Sequence, residues 1–267
     1  MSVILTDEAA MNPLSDFHTQ GVPLPHIRRI AADRPLHWLR AGWQDLKANP
    51  LPSLAYGLLF ALGGDLIILA LLQSPHLVTV SISGFFLVAP LLGAGLYELS
   101  RRTETGEKIL FIDSLKCFGR NGQSLAFFGL ILALIMLMWE RFSAVAFALI
   151  DATSAPMASA YLNEILFDGQ HLAFTATWFL LGGVLALFVY ALSVVAVPLM
   201  LDRDADVATA MMTSLRAFVR NAAPLLLWAA MLVGLTMFGF ATLLFGLVLI
   251  MPILGHASWH AYRELVE

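Results

Sequence analysis

Six apolar runs, each about 18 residues or longer, recur along this 267-residue chain, at about 51–72, 77–99, 124–150, 172–201, 223–240 and 242–262. At about 1.5 Å per residue each can cross a hydrocarbon core about 30 Å thick. The composition agrees, with 59% hydrophobic and only 13% charged residues, against roughly 45–50% apolar in a soluble domain. A water-soluble globule is excluded, and the chain reads as an all-α, multi-pass membrane protein with six transmembrane helices.

The positions of the 15 Lys and Arg residues orient those runs. Arg28, Arg29, Arg34, Arg40 and Lys47 precede the first span. Arg101, Arg102, Lys108, Lys116 and Arg120 fall between the second and third. Arg203, Arg216 and Arg220 fall between the fourth and fifth, and Arg263 closes the sixth. The opposite connections, 73–76, 151–171 and 238–241, carry no Lys or Arg, and 151–171 holds Asp151, Glu164 and Asp168. By the positive-inside rule both termini are cytoplasmic, which six spans satisfy. The exception, Arg141, lies beside Glu140 well into span three, a pair expected at the outer interface. Residues 1–35 lack an apolar core after a basic start and read as a cytoplasmic tail rather than a signal peptide. The remainder, 36–267, reads as one six-helix domain. The break at Phe238-Gly239-Phe240 is nearly free of polar residues, so two full spans or a re-entrant pair both fit 223–262.

A short amphipathic basic segment precedes each pair of spans. SLKCFGRN (Ser114 to Asn121) parallels SLRAFVRN (Ser214 to Asn221), and RAGWQDLKANP (Arg40 to Pro50) is a looser copy. Each is expected in the cytoplasmic interface, with Trp, Phe or Leu inward and Lys or Arg at the headgroups. The second helix of each pair carries a proline, Pro90, Pro198 or Pro252, expected to kink it. PLLGAGLYELSR (Pro90 to Arg101) aligns with PILGHASWHAYR (Pro252 to Arg263). The fold expected is three tandem hairpins, at about 38–102, 112–203 and 212–267, each led by an interfacial helix, in a pseudo-threefold bundle.

Few residues could carry chemistry. One cysteine, Cys117, excludes an internal disulfide and a Cys-based metal cluster. His256 and His260, four apart on a helix, share a face and could ligate a metal or approach a haem, or be hydrogen-bonded interfacial histidines. The Glu of a zinc-protease motif is missing, since Ala257 follows His256. Asp65 lies within the first span, where a carboxylate must be paired, protonated or wet; it is either a proton or cation site or a helix-packing hydrogen bond. Glu98, Arg101, Arg102 and Arg263 are expected to form a cytoplasmic polar cluster, which His256 and His260 could join. Asp202, Asp204 and Asp206 could bind a cation, but more simply cap the helix that follows. No phosphate loop, dinucleotide fingerprint or nucleophile elbow is present, so no enzyme is expected and no cofactor is implied beyond that metal or haem possibility.

The motifs LRAGWQDLKANP, PLLGAGLYELSRR, LDRDADVATAMMTSLRAFVRN and PILGHASWHAYR resemble a family of bacterial, mostly proteobacterial, integral membrane proteins, the domain of unknown function 2189. The resemblance implies a multi-pass protein of the bacterial inner membrane and no catalytic residues. The function expected is a non-catalytic accessory or organising subunit of a larger membrane assembly, partnered by membrane lipids and by another membrane protein or a second copy, not by nucleic acid. The alternatives are a carrier of a lipid or small hydrophobic solute, and a metal or haem binder through His256 and His260.

Overall fold

The structure, a computed structural model, describes residues 24–73, 92–107, 110–150 and 172–267. Helix α1 (Arg34–Ala48) leads into α2 (Pro50–Gln73), and α3 spans 92–104. The short α4 (Phe111–Ser114) and a tight turn, Leu115–Cys117, run into α5 (Phe118–Ile150). Then come α6 (Leu172–Ser193), α7 (Ala196–Arg203), α8 (Val207–Arg220), α9 (Ala222–Ala241) and α10 (Phe245–Leu265). An antiparallel bridge, Ile27 to Val266, joins the segment before α1 to the end of the chain.

Four stretches among the described residues are long and apolar enough to cross a membrane: Pro50–Leu69, Phe111–Ala146, Leu172–Arg203 and Ala222–Ala241. They correspond to the first, third, fourth and fifth expected spans. The second span lies mostly outside the described residues, as do Pro90, Lys108 and the connection 151–171. α10, the sixth, has 21 residues, but its second half is polar and buried in protein. It follows α9, of 20 residues, after a turn at Thr242–Leu244. Leu243 and Leu244 adopt positive φ there, and the Thr242 hydroxyl accepts from the Gly246 amide at 2.9 Å.

Each amphipathic segment ends at an asparagine that leaves helical geometry. Asn49 has φ −132 and ψ 66, Asn121 φ −142 and ψ 40, and Asn221 φ −130 and ψ 44. Pro50 accounts for the first, because a proline ring disfavours helical geometry in the residue before it. At all three the side-chain amide reaches a distant segment. Asn49 donates to the Thr103 hydroxyl at 2.8 Å, and Asn121 to the carbonyls of Met200 and Ala205 at 3.0 and 2.8 Å. Asn221 donates to the Arg28 carbonyl at 2.8 Å and accepts from the Ile30 amide at 3.0 Å. An amide carries both donors and an acceptor, so one side chain bends the backbone and ties the bend to a neighbour.

The prolines behave differently from one another. α6 ends just before Pro198, because Pro198 has no N–H for the Val194 carbonyl and its ring would clash with it. The Val195 amide instead donates to the Ser214 hydroxyl at 3.3 Å. Pro252 stays inside a continuous α10.

α10 is the centre of the bundle, covered by α1, α2 and α9. The first amphipathic segment divides its apolar residues between the protein and the outside. Trp38 and Leu46 of α1 are buried in the protein, Trp38 meeting Trp228 of α9 in a T-shaped contact with ring centroids 5.8 Å apart. Gly42 brings the same face onto the α10 backbone, where a Cβ would lie 2.5 Å from the Ile253 carbonyl. Periodicity marks an apolar stripe but not what covers it. The outward face carries Leu36 and Trp43, with the Lys47 ammonium 5.0 Å from the Trp43 ring.

Candidate functional site

The polar residues of the second half of α10 reach four other helices at the basic end of the bundle. His256 is fully buried; its Nε2 lies 2.9 Å from the Ser53 hydroxyl of α2 and its Nδ1 2.7 Å from the Ser100 hydroxyl of α3. One turn on, His260 Nε2 meets the Asp45 carboxylate of α1 at 2.9 Å. Trp259 donates to Glu104 of α3 at 2.9 Å, and Tyr262 to Asp202 of α7 at 2.6 Å. Glu264 accepts from Trp38 at 2.6 Å and Arg34 at 2.5 Å. Glu267 pairs with Arg28 and His26, and Arg203 donates to its carbonyl at 2.6 Å. The Arg28 pair holds the exposed Glu267 carboxyl below the usual carboxylate range.

These contacts explain why so polar a stretch sits in a membrane protein's core. A buried polar group costs free energy unless it is hydrogen-bonded, and here His256, Trp259, His260 and Tyr262 each meet a partner on another element. His256 and His260 share a helix face, as their spacing requires, yet they point to different partners, two hydroxyls and one carboxylate. Among the described residues no group of three or more His, Cys, Asp or Glu side chains is placed to hold a metal ion.

The second polar cluster surrounds Glu98 of α3, whose side chain is 4% exposed. Arg101 grips this carboxylate with two N–H groups at 2.8 and 2.7 Å. Arg102 Nε lies at 2.9 Å, and Arg120, at the Asn121 bend, at 2.5 Å. The structure thus brings together the expected Glu98, Arg101 and Arg102 and adds Arg120. Arg263 lies apart from them, 3.3 Å from Glu104 and 3.6 Å from Asp202. The histidines do not touch the Glu98 carboxylate either; Ser53 and Ser100 take the place beside His256.

The remaining expected residues are dispersed. Asp65 is exposed on α2 among exposed Leu62, Leu66 and Ile68. Arg141 pairs with its neighbour Glu140 at 2.8 Å. The three aspartates do not converge: Asp202 accepts from Tyr262, and Asp204 ends α7 in left-handed geometry. Asp206 caps α8, accepting from the Thr209 amide at 2.9 Å and hydroxyl at 2.6 Å.

Sequence reasoning missed Asp45, Ser53, Ser100, Glu104 and Arg120. Only Asp45 carried a signal, being an acid on the apolar side of an amphipathic helix. Ser53 and Ser100 are unremarkable in sequence and gain their role from what faces them.

A bundle of apolar helices whose polar side chains are satisfied internally at one end is an integral membrane protein. Residues 77–202 match the model of the family described as predicted integral membrane protein (DUF2189), the family its motifs resemble. No curated protein and no solved structure matches the chain.

Proposed function

We propose that the chain is a non-catalytic multi-pass protein of the bacterial inner membrane, with both termini cytoplasmic, that serves as an accessory or organising subunit of a larger membrane assembly. The observation that supports this reading is how the chain divides its surface. Polar side chains hold α1, α2, α3, α7 and α10 together, while 22% of the apolar window of Phe111–Ala146 and of Ala222–Ala241 is buried within the chain. Apolar faces this large, with Phe142 and Met138 on one and Phe238 and Val233 on the other exposed, suit contact with other membrane helices. Three tandem units in pseudo-threefold arrangement fit the shared geometry of Asn49, Asn121 and Asn221.

Purification of the tagged protein from its own membranes in nanodiscs, with mass spectrometry of what accompanies it, tests the proposal. A stoichiometric membrane-protein partner is the expected result. A chain that repeatedly purifies without one overturns the accessory role.

A second reading, carriage of a lipid or small hydrophobic solute, is favoured by one observation. α5 and α6 enclose an apolar cleft of about 480 Å³, lined by Leu132, Met136, Trp139, Gly182, Leu185 and Val189, within the size range of ligand pockets. Filling it with Gly182→Leu would lower the amount of co-purifying hydrophobic ligand under that reading and leave a protein partner bound under the first.

A further inference from the structure

We propose that Arg101, Arg102 and Arg120, gathered on the buried carboxylate of Glu98, form a binding site for a phosphate group, carried by an anionic phospholipid headgroup or by free phosphate. The site stands whether or not the chain has a protein partner.

A guanidinium has five N–H donors in a fixed fork. The three arginines donate five hydrogen bonds to carboxylates, four to Glu98 and one from Arg102 to Glu107, so about two-thirds of their N–H groups stay unspent on carboxylates. Glu98 is 4% exposed, whereas the side chains of Arg101, Arg102 and Arg120 are 26%, 39% and 40% exposed. The carboxylate therefore anchors the forks from below and leaves donors facing outward. Among the described residues the three arginines pair with two carboxylates, Glu98 and Glu107, one fewer than the cations, and nearby Lys116 is balanced by Asp113 at 2.7 Å. Asp202 also acts on Arg101, and Asp113 on Arg102, through space, while Arg102 and Arg120 are the more exposed of the three.

Phosphate oxygens match the planar guanidinium fork, and arginines already held in position lose little freedom on binding. The surroundings favour a lipid as the source. Leu110 and Ile112, at the start of α4, are 70% and 64% exposed, and the continuous apolar run of α5 begins within two turns beyond Arg120. Apolar side chains beside basic ones at a membrane boundary match a headgroup above acyl chains.

The test uses the full chain in an uncharged, phosphate-free detergent, with phenylglyoxal labelling of arginines read residue by residue by mass spectrometry. Phosphatidylglycerol is expected to slow labelling of Arg102 and Arg120 about fivefold, with phosphatidylcholine ineffective and the exposed Arg216 unchanged. Protection by inorganic phosphate alone would assign the site to free phosphate rather than lipid. Labelling of both arginines unaffected by phosphatidylglycerol and by phosphate overturns the proposal. As a second measurement, Arg102→Gln with Arg120→Gln should lose a phosphatidylglycerol retained in native mass spectrometry, while Arg216→Gln with Arg220→Gln keeps it. A folded double variant that retains the same lipid overturns the proposal; if that variant does not fold, labelling of the unsubstituted chain decides.

Discussion

The carbonyl oxygen of Val248 lies so close to Gly57 that a Cβ on the glycine would sit 1.9 Å from it. Four residues after Val248 comes Pro252, which has no N–H to return a helical hydrogen bond. The proline thus leaves the Val248 carbonyl free, and the glycine lets the α2 backbone approach it. Gly57→Ala is expected to destabilise the protein by about 1–3 kcal/mol through overpacking, read as a lower melting temperature in detergent. Gly183→Ala, with nothing within 4 Å of the added Cβ, should leave it unchanged.

His256 ties α2 to α3 through two serine hydroxyls. Replacement by Ala removes both hydrogen bonds and opens a cavity in the bundle centre, at a cost of about 2–5 kcal/mol. Ser100→Ala should cost about 1 kcal/mol, and nearly nothing once His256 is already Ala. A double-mutant cycle on urea or thermal unfolding measures this; additive costs would contradict the coupling.

Asn121 donates to the Met200 and Ala205 carbonyls across the bundle. Asn121→Ala should cost about 1–3 kcal/mol, because it strips donors from two carbonyls at once. Asn121→Asp should be worse, since an ionised carboxylate offers only acceptors to those oxygens. Relative melting temperatures of the two variants check the order.

Asp206 is held below the usual carboxylate range, first by the Thr209 hydroxyl and then by the Thr209 amide. A carboxylate with a lowered folded pKa contributes stability that is fully present above its unfolded value of about 3.9. That contribution is lost as pH falls through the folded value. Asp206→Asn should keep a working cap but abolish this acid-dependent part, so its stability relative to the native chain should improve between about pH 4 and pH 2. An unchanged difference over that window would contradict the assignment.

Much of the arrangement was readable before the structure. The apolar runs give α2, α5, α6 and α9, because lipid-crossing length is a property of a contiguous stretch. The three basic segments that hold Asn49, Asn121 and Asn221 were legible as a repeated motif, since their residues recur in the same order, but the backbone bends at those asparagines were not. Glu98 with Arg101 and Arg102 was legible because residues three and four apart share a helix face.

Arg120 and Asp45 were not legible as partners of Glu98 and His260, which lie 22 and 215 residues away in sequence. Nor did the run 242–262 disclose that it is the covered centre rather than one more peripheral span. Composition determines that this chain lives in a membrane and roughly where its long apolar helices lie, because those depend on neighbours along the chain. Which side of α1 meets protein, which hydroxyls receive His256 and which arginines gather on Glu98 were decided by packing alone, because hydrogen bonds and close backbone approaches exist only once distant segments are brought together.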